Sequence, residues 1–313
     1  MAENFQTNKK AKTGELYEEL RSFIPEDRLH KNQNMKGYIS FKTDGMAALF
    51  VVLETEEELS QVIRLVNREN IEHFFLGNGS NVLIGKSGYD GVMIKLGDAF
   101  SRIETTGTQI KVGSGALLSS IARDALEHSL TGLEFASGIP GSLGGAVAMN
   151  AGAYGGEMKQ VLLEAYVMDQ SGQCFTLKKD EMDLGYRHSV FQAKGYMIIH
   201  GILQLQQGNQ EEIRGKMWEL MKRRNEKQPV NLPSAGSFFK RPKGYYAGKL
   251  IEDAKLKGLS LGGAQVSPLH AGFIVNQGGA TAQDIIDLMV IVQNTVRDEF
   301  HVALEPEVRI IGK

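Results

Sequence analysis

Gly77-Asn78-Gly79-Ser80-Asn81 follows the apolar run IEHFFL and concentrates small residues, backbone amides and a hydroxyl in one turn. That combination can bind a phosphate. Two familiar phosphate motifs are excluded by spacing. A P-loop needs four residues between its first glycine and Gly-Lys-Ser/Thr. Here five residues, Ser80 to Ile84, separate Gly79 from Gly85. Val82, Leu83 and Ile84 favour a strand, so Gly85-Lys86-Ser87 reads as a turn after it. The dinucleotide fingerprint fails too, because its third glycine position is Val82 and no helix begins there. A pyrophosphate-sized concavity survives, and so does an ordinary Gly-Asn turn.

A second segment, GLEFASGIPGSLGGAVAMNAGAYGG (132–156), is dense in glycine, alanine and serine inside an apolar context. Linkers lack that apolar content. Such backbone packs closely against a flat ligand or against other backbone. Amides of Gly141, Ser142, Gly144 and Gly145 are candidates for phosphate or for the edge of a heteroaromatic ring.

Further along stand single residues with chemical potential. The fork of Arg187 matches a carboxylate or enolate, although alone it reads first as a surface ion-pair partner. Ser237 is a weak acid that in most settings caps a turn. Glu305 and Glu307 lie two apart, hence on one face of an extended segment, and otherwise read as solvated carboxylates. Arg223, Arg224 and Lys227 suit phosphates or a solvated helix end. His270 opens an apolar strand and either lines a site or belongs to the core.

The elements that must hold these residues are legible from periodicity. A short helix is expected over 13–24 from Leu16, Leu20 and Ile24, and a strand over 48–54. Thr55 and Glu58 form a capping box for a helix to about Arg68, with Leu59, Val62, Ile63 and Val66 on its apolar face. The strand 71–76 then delivers the chain into the glycine turn. Beyond residue 92 the pattern is β-rich, with a helix over about 116–130 and a hairpin through Ser171-Gly172. Asn209 caps a new helix. A short helix near 247–256, the strand AGFIVN, a long helix from Thr281 and a last strand EVRIIG follow. The class is α+β, with segregated elements. The expected divisions are 1–100, 101–208 and 209–313.

With 313 residues the chain can bury two or three cores. A formal net charge of −2 without a basic run argues against a nucleic-acid surface. The opening residues are polar and lack the apolar core of a signal peptide. No apolar run is long enough to span a bilayer. Cys174 is the only cysteine, which excludes an internal disulfide or a thiolate metal cluster. It reads as a small strand residue. A cytoplasmic protein without metal or membrane association is expected.

Taken together, GNGSNVLI and the 132–156 segment resemble the FAD-binding part of the UDP-N-acetylenolpyruvoylglucosamine reductases, within the wider vanillyl-alcohol-oxidase (PCMH) type of flavoprotein fold. The resemblance continues through YRHSVF (186–191), PSAGSFFKRP (233–242), AGKLIEDAKLKG (247–258), HAGFIVNQGGATAQD (270–284) and LEPEVRIIG (304–312), so it spans about residue 40 to the end. It implies two α+β subdomains around FAD and a C-terminal α+β substrate-binding domain. It also implies a reaction. NADPH reduces FAD and leaves, UDP-N-acetylglucosamine-enolpyruvate enters, hydride passes from flavin N5 to the terminal vinyl carbon, and the enolate is protonated to give UDP-N-acetylmuramate for peptidoglycan.

By the same resemblance Arg187, in Tyr186-Arg187-x-Ser189, binds the substrate carboxylate. Ser237 is the proton donor, and Glu307 works with Arg187 on the enol intermediate, with Glu305 as the neighbouring alternative. FAD contacts are implied at Gly77, Asn78, Gly79, Ser80, Asn81, Gly138, Ile139, Pro140, Gly141, Ser142, Gly144, Gly145, Ala146, Asn150, Gly152 and Ala153. Substrate contacts are expected at Tyr186, Arg223, Arg224, Lys227 and His270. Departures from the pattern are Lys42-Thr43-Asp44-Gly45, where many relatives carry a Gly-Gly pair, and Arg241, where some carry asparagine. The short interval between Arg187 and Ser237 matches the shorter, type II subclass, which lacks an extra loop. A monomer is expected. The rivals are a flavin-dependent oxidase of the same fold, a P-loop phosphotransferase and a non-catalytic sugar-nucleotide binder.

Overall fold

The structure, a computed structural model, describes residues 12–312. The polar opening segment 1–11 lies outside the described residues. Contacts divide the chain into two units. The first comprises the chain up to Asn32, Ala48–Asn78 and Asp90–Lys222; the second comprises Gln33–Ala47, Gly79–Tyr89 and the chain from Arg223.

The first unit is built on two sheets. One has the order Leu29–Asn34, Met46–Leu53, Tyr89–Leu96, His73–Phe75. Its helix Glu56–Arg68 buries Leu59, Val62, Ile63 and Val66, the stripe read from the sequence, beside Leu16, Leu20 and Ile24. Each such burial contributes roughly 1.5–3 kcal/mol. Thr55 caps the helix by accepting from the Glu58 amide. The expected reciprocal half of the box is absent: the Glu58 carboxylate accepts from the Glu54 amide instead and pairs with Arg28 at 2.6 Å. The opening helix ends at residue 20, short of the expected 24.

The other sheet of this unit is antiparallel, in the order Cys174–Lys178, Leu162–Met168, Met197–Gln204, Gln109–Gly113, Ile103–Thr106. Asp169 Oδ1 accepts from the amides of Ser171 and Gln173, which closes the expected hairpin. The helices Leu118–Glu127 and Leu143–Ala148 supply Leu118, Ile121, Leu143 and Val147 to the core of this part.

The second unit has a three-stranded antiparallel sheet, Ser260–Leu261, Ala264–Val266 and Ile274–Asn276. The helices Ala247–Asp253 and Ala282–Phe300 contribute Leu250, Ile285, Leu288 and Val292 to its core, with Phe41 and Phe238. The run Val82–Ile84 is the strand expected from its branched residues, and Gly88 donates to Gly85 in the turn after it. Its partner is the parallel C-terminal strand Arg309–Ile311. Parallel partners need a long connection, and here the whole chain from Gly85 to Val308 joins the two strands. Among the described residues no helix is long and apolar enough to cross a membrane, and no group of three or more His, Cys, Asp or Glu is placed to hold a metal ion.

Candidate active site

In the first unit the two glycine segments meet. Asn78 Nδ2 donates to the carbonyl of Pro140 at 2.8 Å. A Cβ on Gly77 would lie 2.6 Å from Ser142 Oγ, so any larger residue would have to turn that hydroxyl aside. The 141–144 stretch is itself held by backbone: Leu118 donates to Gly141, Leu143 to Ala116 and Gly144 to Ser114. The Gly144 amide therefore serves the protein's own backbone, where the sequence offers it to a phosphate. Ser142 and Ala146 are buried, whereas Pro140 and Gly145 are exposed. Gly138 and Ile139 enter this stretch from the turn at Glu134–Ala136. Gly152–Ala153 pairs with Gly156–Glu157 in a tight hairpin. The result is a strip of small residues and backbone that reaches the surface at Pro140 and Gly145.

The second half of the GNGSN turn, from Gly79, belongs to the second unit and has its own supports. Gly79 has φ of +64°, and a Cβ there would lie 1.9 Å from the Tyr38 carbonyl oxygen. Ser40 donates its amide to Gly79, while Ser40 Oγ is buried with no hydrogen-bond partner among the described residues. Small residues, close-packed backbone and an orphaned hydroxyl fit a phosphate-bearing cofactor.

Asn81 continues into the C-terminal chemistry. Its side-chain amide donates to the Glu307 carbonyl at 3.0 Å, and Arg309 donates to the Asn81 carbonyl. Glu307 in turn donates to Phe238, the residue after Ser237, and Phe238 donates to Gly272. The Gly272 amide donates to His270 Nδ1 at 3.1 Å. That bond puts the imidazole proton on Nε2, and burial pushes the ring's pKa below the ordinary histidine value. One ladder of hydrogen bonds thus assembles Asn81, Ser237, His270 and Glu307 from distant parts of the sequence. Ser237 is exposed beside the fully buried Phe238, and Glu307 is half-buried. Glu305 is exposed and forms an ion pair with Lys240 at 3.3 Å. The two glutamates that spacing leaves open thus differ in exposure and in partners.

Tyr186 and Arg187 lie in the first unit at a tight turn, the guanidinium 5.1 Å from the centre of the tyrosine ring. Arg224 and Lys227 occupy the last turn of the helix Gln210–Lys227, where cations suit the negative end of the helix dipole, and Arg223 stands just before that turn. Asn209 caps its start through the amides of Glu211 and Glu212. Arg241 stacks on Tyr246 at 4.1 Å. Sequence reasoning passed over Ser189 and Gln192, whose side chains both donate to the Ala148 carbonyl. Only the short sequence distance from Arg187 pointed to them.

A cradle of this kind has room for a phosphate-bearing cofactor, and comparison with known proteins gives the class, a flavin-binding α+β oxidoreductase. Residues 47–178 match the profile described as "FAD binding domain". Residues 228–311 match "UDP-N-acetylenolpyruvoylglucosamine reductase, C-terminal domain". The reductase of that name from Clostridium novyi is 46% identical over 299 residues, covering 96% of this chain and 97% of the other. That from Caldanaerobacter subterraneus subsp. tengcongensis is 48% identical over 298 residues, covering 95% and 98%. The crystal structure of the enzyme from Thermus caldophilus superposes with a TM-score of 0.79 at 34% identity, covering 91% of this chain and 99% of that one. The chain belongs to the UDP-N-acetylenolpyruvoylglucosamine reductase family and is an FAD-dependent oxidoreductase. The oxidase alternative is not favoured.

Proposed function

We propose that the protein reduces the enolpyruvyl group of UDP-N-acetylglucosamine-enolpyruvate to the lactyl ether of UDP-N-acetylmuramate, with NADPH as reductant, in peptidoglycan precursor synthesis. When bound, FAD would supply the redox chemistry between NADPH and the terminal vinyl carbon. The segments around Gly77–Asn81 and Gly138–Ala146, with Gly152 and Ala153, bind and orient that cofactor by close backbone approach.

Arg187 holds the substrate carboxylate, where negative charge builds as hydride arrives. Ser237 Oγ gives its proton to the carbon adjacent to the carboxylate. A serine is adequate there because the enolate is a strong base. Glu307 stabilises the enol form. Tyr186, His270, Arg223, Arg224 and Lys227 contact the sugar-nucleotide. The observation that carries this reading is the hydrogen-bonded pairing of the Ser237 and Glu307 segments, which sets a hydroxyl donor and a half-buried carboxylate on adjoining backbone. A cytoplasmic monomer completes the proposal, with size-exclusion chromatography testing the oligomeric state.

The test is a visible spectrum followed by turnover. Purified protein is expected to be yellow and to turn over NADPH beyond one equivalent per flavin only when UDP-N-acetylglucosamine-enolpyruvate is present. A colourless protein that takes up no added FAD overturns the proposal.

A further inference from the structure

Arg187 sits at the tip of a two-residue turn. Gly185 and His188 exchange backbone hydrogen bonds at 3.1 and 3.3 Å, which leaves Tyr186 and Arg187 as the corners. Arg187 has φ of +54°. A non-glycine residue keeps that conformation at a cost of roughly 1–3 kcal/mol, and only where its surroundings over-determine it. Two anchors do so here, and both leave from the same short segment.

On one flank, Asn150 Nδ2 donates to the Gly185 carbonyl at 3.1 Å. On the other, Ser189 Oγ donates to the Ala148 carbonyl at 2.6 Å, accompanied by Gln192. Asn150 and Ser189 are 2% and 0% exposed. Asn150 Nδ2 also donates to the Glu157 carboxylate at 3.0 Å, and its Oδ1 accepts from the Lys159 amide at 2.8 Å. Both donors and an acceptor position of the side chain are therefore engaged by protein groups. Asn150 itself takes φ of +42°, which asparagine tolerates better than most residues.

We propose that Asn150 is a positioning residue for Arg187, in place of the cofactor contact its motif implies, with Ser189 as its counterpart on the far side of the turn. The helix Leu143–Ala148 begins at Ser142, against Gly77, and leads directly into the two anchors. One rigid segment thus sets both the glycine cradle and the place of the guanidinium. The catalytic part of this inference rests on the reading of Arg187 as the carboxylate-binding group.

Asn150→Gly keeps the backbone freedom that the positive φ requires and deletes all three side-chain bonds. In the holoprotein, FAD content and the NADPH half-reaction should stay within about twofold of wild type, while the substrate half-reaction falls about 10–100-fold, the scale of a misplacement near 1 Å. The KM for UDP-N-acetylglucosamine-enolpyruvate should rise and that for NADPH should not. Asn150→Asp keeps the acceptor but not the donor to Gly185, and should behave likewise. Asn150→Gly combined with Arg187→Ala should be no slower than Arg187→Ala alone, because coupled residues are not additive. Amide exchange in apoprotein should quicken in 183–190 and not in 76–81.

Ser189→Ala is the second route should the asparagine variants fail to fold, with the same exchange pattern expected. Unchanged exchange at 183–190 in every folded variant overturns the proposal. So does FAD loss as large as the loss in the substrate half-reaction, which would make Asn150 a cofactor contact. If Arg187→Ala spares the substrate half-reaction, the arginine's role fails and the catalytic part falls with it, while exchange still decides the placement.

Discussion

The backbone amide of Glu307 donates to the carbonyl of Phe238 at 2.8 Å, so the glutamate segment lies against the residue that follows Ser237. Phe238 is fully buried beside Phe41, their ring centres 6.2 Å apart. A buried aromatic therefore fixes the backbone that presents the exposed hydroxyl. Proton delivery depends on such placement more than on the acidity of the group.

Ser237→Ala should lower turnover by about 10²–10⁴-fold, the contribution of a positioned proton donor. Flavin reduction by NADPH should persist, because the proposed role of the serine comes only after hydride transfer to the substrate. Stopped-flow absorbance separates the two half-reactions. Equal losses in both would mean that the residue is structural, not the donor.

The two glutamates should part company. Glu305 is an exposed partner of Lys240, and such pairs contribute about 0–1 kcal/mol. Glu305→Gln should leave kcat within about threefold, whereas Glu307→Gln should cost about 10²-fold, the scale of one lost group that stabilises transition-state charge. The reverse order would shift the catalytic role by two residues.

Local rules made the scaffold legible. The apolar stripe of the helix Glu56–Arg68 and its Thr55 cap are properties of a few neighbouring residues. Val82-Leu83-Ile84 could be read as a strand, but its partner Arg309–Ile311 could not, because register is decided by contacts far along the chain. The same limit applies to the site. Gly77 offers no reactive group to read, and its close approach to Ser142 is visible only in the fold. Ser237 as an acid is suggested only by the family resemblance, since a serine hydroxyl is a weak acid and its proposed role depends on the basicity of the substrate enolate. Asn150 and Ser189 were missed as anchors, because their roles consist entirely of bonds to Gly185 and Ala148.

Two glycines should respond to alanine in opposite directions. At Gly79 a methyl group meets the Tyr38 carbonyl, and the left-handed backbone alone costs about 1–2 kcal/mol. Gly79→Ala should be destabilised and should retain less FAD. Gly215 lies within the helix Gln210–Lys227, with nothing near an added Cβ. Gly215→Ala should gain about 0.5–1 kcal/mol from backbone entropy and helix propensity. Thermal melts of the two variants check both signs; a Gly79→Ala protein as stable as wild type would refute the close approach.

Three half-buried imidazoles give stability a pH dependence. Burial is the leading cause holding His73, His200 and His270 below the ordinary histidine pKa. The unfolded chain accepts those protons near pH 6.5, about the unperturbed value, while the folded protein resists them. The unfolded state then binds more protons, so stability rises with pH. The full contribution is present above about pH 6.5 and is lost as pH falls towards the depressed folded values. His73 sits edge-on to Phe75 at 5.5 Å in the strand His73–Phe75, next to Val92. His73→Leu removes one titrating group and keeps an apolar side chain in that strand. Its melting temperature should fall less steeply than that of wild type between pH 7 and pH 5.5. An identical slope for the two proteins would show that His73 takes up its proton as readily folded as unfolded.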